Sequence, residues 1–325
     1  MCVKEPAINL EVIKPMDLVF EPKHKSTDPD PAQLPAHSKI SFTAKLVAYC
    51  RLASDIPYAS EVAERIGAQA VYEHMLGTTS LDPTALNWFD ALLEARYKSL
   101  SAAVVRSGVS QVIEFASGVA LRGLAMSRNT QLTYVETDLP DLSQEKVALS
   151  DAIRSTHGLP HPPNLHYRSC NIMSWDEIEA VLSLLDPSQS VAIIHEGLLP
   201  YLMPQEKEVV AAHVARILRE FGGVWISPDF VTMDEAMGSF WRDSSLTGMT
   251  ESITQQTGRS FEQGCFRTQA DIDQLLDRHG LVGTSQLQVD GSFVLSCLKQ
   301  RPLPNDQLHE LTQRLTLMEI KLSRS

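Results

Sequence analysis

The spacing of apolar positions changes character near residue 108. From Ser41 to about Ser107, Ala, Leu, Glu and Arg dominate and Gly67, Gly77 and Pro83 punctuate, which predicts helices. Beyond that point short apolar runs alternate with amphipathic stretches. Residues 111–116, 131–136, 165–169, 190–195 and 223–227 read as strands. Helices are expected between them. One follows Asp141 and should stop near Gly158, because Pro160 cannot continue it. Another follows Pro204 and carries Val210, Val214, Ile217, Leu218 and Phe221 on one face. Strands alternating with helices imply a parallel sheet covered on both faces. Residues Gly283 to Val289 and Ser292 to Leu298 are strand-like and flank Asp290-Gly291, a dipeptide suited to a tight hairpin. The expectation is therefore an α/β fold with a seven-stranded sheet, mostly parallel and closed by a C-terminal antiparallel hairpin. After Pro302 and Pro304, Leu308, Leu311, Leu315, Met318 and Leu322 recur at three- and four-residue steps. They predict a terminal amphipathic helix, docked on its own domain or on a second copy in a homodimer.

Two stretches fall outside this alternation. Residues 1–38 carry six prolines and read as an extended arm. Residues 228–282 are too long for a plain crossover and contain Met233, Met237, Phe240, Trp241, Met249 and Phe261. A helical cover over the carboxyl edge of the sheet and extra core helices are both open readings. The expected division is an arm at 1–38, a helical cap region at 39–107, a core at 108–302 with its insertion, and a helix at 303–325. Lys and Arg total 28 against 40 Asp and Glu, a net charge of −12, which disfavours nucleic acid and anionic lipid as partners. No apolar run approaches the ~18 residues that span a bilayer, and the first residues lack the apolar stretch of a signal peptide. The five cysteines (2, 50, 170, 265 and 297) form no CxxC pair and no cluster with histidine. Neither a disulfide framework nor a metal site is expected, and the default is a reduced, cytoplasmic protein.

In an open α/β sheet, ligands bind beyond the carboxyl ends of the strands. After the first strand, Glu114 to Gly123 includes small residues at 116, 117, 118 and 120, which let a ligand approach the backbone. The second strand ends at Asp138, placed either to accept ribose hydroxyls or to cap the helix after Pro140. The third leads to Asn171, a candidate for an adenine edge, with Ile172 and Trp175 to flank the ring or simply to pack. The fourth ends in His195 and Glu196, the carboxylate expected at the rim. Charge separates the two adenosine ligands that suit this layout. A dinucleotide brings a pyrophosphate, which Glu114 would repel, whereas S-adenosylmethionine brings a sulfonium and an ammonium that acidic groups favour. Glu114, Asp138 and Glu196 together suggest an acidic rim, and the turn lacks the three glycines of a dinucleotide fingerprint. S-adenosylmethionine is the expected cofactor, and an NAD-dependent enzyme is the alternative.

Five ordered segments resemble the leucine carboxyl methyltransferase family, in particular its branch similar to the tetracenomycin-type polyketide O-methyltransferases. They are Ile40 to Ala44, Glu94-Ala95-Arg96-Tyr97, Val112 to Gly123, Tyr134 to Pro140 followed by Lys146, and Ile194 to Leu202. The resemblance implies a class I methyltransferase fold with a helical cap. It places Arg96 on the cofactor's carboxylate, Gly118 along its methionine part and Asp138 on the ribose. Asn171 and Ile172 would meet the adenine, and Glu196 the amino group or sulfonium side. The Asp and Thr usual in the family's glycine motif are missing here, and Asn171 stands where the family has Asp. Without the resemblance, Arg96 is equally an exposed helix arginine. His195 and Tyr201 are the catalytic candidates. His195 is a base or a histidine packed on the opposite face of its strand, and Tyr201 orients substrate or closes the cap. The expected activity is methylation of a carboxylate or phenolic oxygen on a small molecule. A protein C-terminal carboxyl methyltransferase and a non-catalytic binding protein are the other readings.

Overall fold

The computed structural model describes residues 42–78, 85–232 and 264–323. The arm at 1–38 and the aromatic and methionine residues from Met233 to Phe261 lie outside the described residues. Among the described residues four helices come first: α1 (Phe42–Cys50), α2 (Ala59–Arg65), α3 (Ala68–Thr78) and α4 (Ala85–Ser107). Then strands and helices alternate: β1 (Gln111–Glu114), α5 (Arg122–Met126), β2 (Thr133–Asp138), α6 (Pro140–Thr156), β3 (Leu165–Ser169), α7 (Trp175–Leu182), β4 (Val191–Ile194), α8 (Pro204–Phe221) and β5 (Gly223–Ser227). The chain ends with α9 (Gln269–Arg278), β6 (Leu281–Leu287), α10 (Asn305–Arg314) and β7 (Thr316–Leu322). The seven strands lie in the order 3-2-1-4-5-7-6. The first five are parallel, and β7 runs antiparallel to both β5 and β6. Strand order reverses between β1 and β4, so their carboxyl ends open a crevice of the kind in which α/β sheets hold ligands.

Period-two alternation sorts the strand residues between two cores. Ile113, Val135, Ile193 and Trp225 face α7, α8 and α9 with Ile178, Val210, Val214 and Ile272. Val112, Tyr134, Ala192, Ile194 and Val224 face α2, α4 and α6 with Val62, Leu100, Leu149 and Ile153. Helix α4 is thus part of the layer that covers the sheet, not only of a cap. Among the described residues, no helix is long and apolar enough to cross a membrane, and no group of His, Cys, Asp and Glu could hold a metal ion.

Two expectations at the C-terminus are corrected. Residues 292–298 form no strand; they lead into a short 3-10 turn at Ser296–Lys299, with Val294 exposed. Asp290 accepts a hydrogen bond from the Ser292 backbone at 2.9 Å, so Asp-Gly closes a local turn and not a hairpin. The antiparallel partner of β6 is instead β7, and the helix expected through Leu322 stops at Arg314. Met318 and Leu322 suit a strand with a period of two as well as a helical seam, and burial of Met318 and Ile320 in a strand between β5 and β6 decides the matter. Leu311 on α10 is fully buried against Leu46, Trp88 and Cys297 of its own chain. The helical seam is therefore cut short at Arg314, and its Leu311 and Leu315 pack within the chain.

Candidate cofactor site

The turn after β1 is built around two left-handed residues, Ala116 (φ +50°) and Gly118 (φ +57°). A side chain seldom tolerates this conformation, and the surrounding bonds enforce it at Ala116. The Ser117 N–H donates to the Thr137 carbonyl at 3.0 Å, and the Gly118 N–H donates to Asp138 Oδ2 at 2.8 Å. Asp138 Oδ1 accepts the Leu139 N–H at 2.8 Å. Asp138 therefore pins the glycine turn, while α6 starts with no side-chain cap. Burial raises its pKa, and the Gly118 and Leu139 N–H groups oppose the rise. Below the turn, Lys146 Nζ donates to the Ser117 carbonyl at 3.2 Å and lies 3.0 Å from Glu136 Oε2. Burial pushes Glu136 up to about 7, with Lys146 pulling the other way. Its other oxygen accepts the Gly123 N–H at 2.7 Å and fastens the start of α5.

Glu114 and Glu196 do not form the acidic rim expected from the sequence. Glu114 lies on the same strand face as Val112, and it is buried against Arg122 Nε (3.1 Å) and the Tyr134 hydroxyl (2.7 Å). Arg122 is fully buried, spans to Glu196 Oε2 at 2.7 Å and lies over the Tyr97 ring at 4.0 Å. Burial works against its charge, but Glu114 and Glu196 outweigh that and hold its pKa above the usual range. Glu196 also takes Arg51 Nη2 at 2.6 Å on Oε1, with Arg96 Nε at 3.9 Å. Arg96 reaches on to Asp229. Three carboxylates thus meet three guanidiniums, and the cluster cancels its own charge. The physical reason is burial. Carboxylates at the ends of apolar strands are held by cations from neighbouring helices because a buried unpaired charge is costly.

Asp229, two residues beyond β5, was not singled out by sequence reasoning. It is buried and accepts from Arg96, from the N–H groups of Gly197, Leu198 and Leu199 at 2.9, 2.8 and 3.2 Å, and pairs with His195 Nδ1 at 2.9 Å. Burial opposes its charge, yet Arg96, His195 and the loop N–H groups hold its carboxyl well below the usual range. The available signal was position: like Glu196, it is an acid just past an apolar strand. Arg51 and Arg122 were missed for another reason, since a helix arginine carries no mark of its partner in sequence.

The other candidates fall into place as follows. Arg96 is mostly buried rather than exposed. Its Nη1 lies 3.3 Å from the Pro228 carbonyl, and Nη2 is bound to Asp229. His195 is fully buried on the face opposite Glu196, with Ser227 Oγ at 3.0 Å and Trp225 against its ring, so it is the packed histidine. Tyr201 is half-buried in the cluster that joins α1, α4 and α10, and burial raises its pKa. Asn171 is a turn former: its Oδ1 accepts the Met173 N–H at 3.0 Å. Ile172 is buried in the core and presents little surface to a ring. Trp175 packs under the Arg216 guanidinium at 3.7 Å.

The residues at the crevice fit S-adenosylmethionine through Asp138 and the glycine turn. A Cβ built on Gly118 or on Gly197 would meet nothing within 4 Å, so open space lies over both strand-end turns. An ionised carboxylate offers about four lone-pair sites, so Asp138 keeps capacity for hydroxyls beyond its two backbone partners. Leu139 beside it is 54% exposed and supplies an apolar surface next to that acid.

Comparison with known proteins agrees with this geometry. Residues 63–215 match the model of the leucine carboxyl methyltransferase family. The fold is similar to that of a putative methyltransferase from Thermobifida fusca, with 16% identity over 90% of this chain and 98% of that one and a TM-score of 0.53. It is also similar to a DUF574 family protein from Streptomyces avermitilis, with 12% identity over 87% and 97% of the two chains and a TM-score of 0.52. At such identities these two likenesses speak for the fold alone. No curated protein matches the sequence. The switch-point crevice, the Asp138-pinned glycine turn and the family match converge: the chain is an S-adenosylmethionine-dependent methyltransferase with a class I fold that resembles the leucine carboxyl methyltransferase family.

Proposed function

We propose that the enzyme methylates a carboxylate oxygen of a small molecule, with a phenolic oxygen as the second choice. The observation that carries this is the state of His195. It is fully buried, turned to the face opposite Glu196, and its Nδ1 is taken by Asp229. Its other nitrogen, Nε2, has no hydrogen-bond partner but is fully buried with the ring against Trp225, away from the Glu196 face, and on that placement we assign it no role as a general base. When bound, S-adenosylmethionine supplies an electrophilic methyl group on a positively charged sulfur. A carboxylate acceptor is already ionised at neutral pH and has no proton to lose, whereas a phenol holds its proton to about pH 10. The chain's own contribution is then alignment and exclusion of water. Asp138 and the Gly118 turn hold the nucleoside end, and the arginine–carboxylate cluster forms the floor beneath it. Four buried cysteines without disulfide partners support a reducing compartment, and we place the enzyme in the cytoplasm.

The family match supports a second reading, a carboxylate at the C-terminus of a protein. One assay separates these readings. Enzyme and methyl-labelled cofactor are incubated with aromatic acids, phenols and a peptide ending in leucine. Base-labile label on the small acids is expected, because a methyl ester hydrolyses and a phenyl ether does not. Label on the peptide alone would establish the protein substrate, and base-stable label on the phenols would reverse the choice of oxygen.

A further inference from the structure

Arg51 sits in the 3-10 turn after α1, with its side chain 8% exposed. It is the one charged group lining a small, half-open cleft with about 20 Å³ of room. One wall of the cleft is Ala48, Ile56 and Val62, and the other is Val119 and Ala120 of the glycine turn. Arg51 Nη2 donates to Glu196, but Nε is buried and has no hydrogen-bond partner. A buried donor left unpaired is costly, and the side-on edge of a guanidinium, Nε with Nη2, matches the two oxygens of a carboxylate. Arg96, which the family resemblance would place on the cofactor's carboxylate, has both terminal nitrogens engaged, Nη1 by Pro228 and Nη2 by Asp229, with Nε 3.9 Å from Glu196. Glu196 keeps Arg122 on its other oxygen at 2.7 Å, so it stays paired if Arg51 turns to a ligand.

We propose that Arg51, in the cleft between α1–α2 and the glycine turn, is a carboxylate anchor whose resting partner is Glu196. The carboxylate belongs to the amino-acid tail of the cofactor or to a carboxylic acceptor. The inference rests on the cofactor assignment and is independent of which oxygen is methylated.

Calorimetry on the full chain tests it with two nucleosides: S-adenosylhomocysteine, which has the amino-acid tail, and 5′-deoxy-5′-methylthioadenosine, which lacks it. A third probe, octanoate, is read by thermal shift. If the cofactor's tail uses the anchor, Arg51→Gln weakens S-adenosylhomocysteine by about tenfold or more and leaves the shorter nucleoside unchanged. If an acceptor uses it, both nucleosides bind R51Q as they bind wild type, and octanoate protects wild type but not R51Q. Either result supports the anchor. Unchanged response of R51Q to all three probes, or equal weakening of both nucleosides, overturns it. Should R51Q fail to fold, Ala120→Leu fills the same cleft and spares the ion pairs. Selective loss of S-adenosylhomocysteine or of octanoate is then the supporting result, and no selective loss the overturning one. Wild type that binds neither nucleoside would instead refute the cofactor assignment, and the anchor with it.

Discussion

Single side chains here are defined by what burial forces them to hold. Asp138 bonds to the Gly118 turn and keeps lone pairs to spare, which is the basis for proposing it as the ribose acceptor. Asp138→Ala should weaken S-adenosylhomocysteine by about 1–3 kcal/mol in calorimetric titration, because it removes a charged hydrogen-bond acceptor. Asp90 makes a different prediction. Burial pushes its carboxyl up to about 6, with Arg301 pulling it back. The unfolded chain loses this proton near pH 4 and the folded chain near pH 6. Between those values the folded state binds more protons, so stability falls as pH rises, and the penalty is constant above about 6. Asp90→Asn removes this slope and should gain on wild type by up to about 3 kcal/mol between pH 4 and pH 6.5 in urea unfolding. At this scale the sequence showed which acids follow apolar strands. It did not show that Arg122 and Arg51 would neutralise them, because those partners lie 8 to 145 residues away.

Elements are joined by a few buried polar groups. Asp229 ties the end of β5 to the loop after β4 and to α4 through Arg96. Asp229→Ala strands a buried arginine and three loop N–H groups, and should cost about 3–5 kcal/mol in chemical denaturation. Gly123 sits where α5 meets the sheet. An added Cβ would lie 2.8 Å from Leu165 and Tyr134 side-chain atoms and 2.9 Å from Glu136. Gly123→Ala should therefore destabilise by about 1–3 kcal/mol, read as a lower Tm. Strands β1 to β5 were legible because each is a short apolar run bounded by turn residues. The last two strands were not, because strand and helix periods agree at Met318 and Leu322, and because Asp290-Gly291 marks a turn without saying which segment pairs across it.

At the level of the whole molecule, the C-terminal strand is structural. β7 lies between β5 and β6, so the last strand in sequence is an inner strand in space. A chain ending at Arg314 would expose the edge of β5 and leave β6 without a partner. It should lose cooperative thermal unfolding by circular dichroism, whereas a terminal helix merely docked on the domain would leave the core melting nearly unchanged. The charge of the site is also a global property. The cluster at the switch point draws Arg51 from the turn after α1, Arg96 from α4 and Arg122 from α5, and it meets acids from three strand ends.

Sequence alone determined the class of fold, the glycine turn after β1 and the acid that ends β2, because periodicity and turn chemistry are local and can be read residue by residue. Charge did not identify the cofactor, since two of the three acids are paired with arginines, and the ordered motifs carried that assignment instead. Tertiary structure decided which acids face the crevice and which are spent on arginines, and which segment completes the sheet. Those choices depend on burial and on partners far apart in the chain, and a buried charge or an open strand edge is settled only when the neighbour that satisfies it arrives.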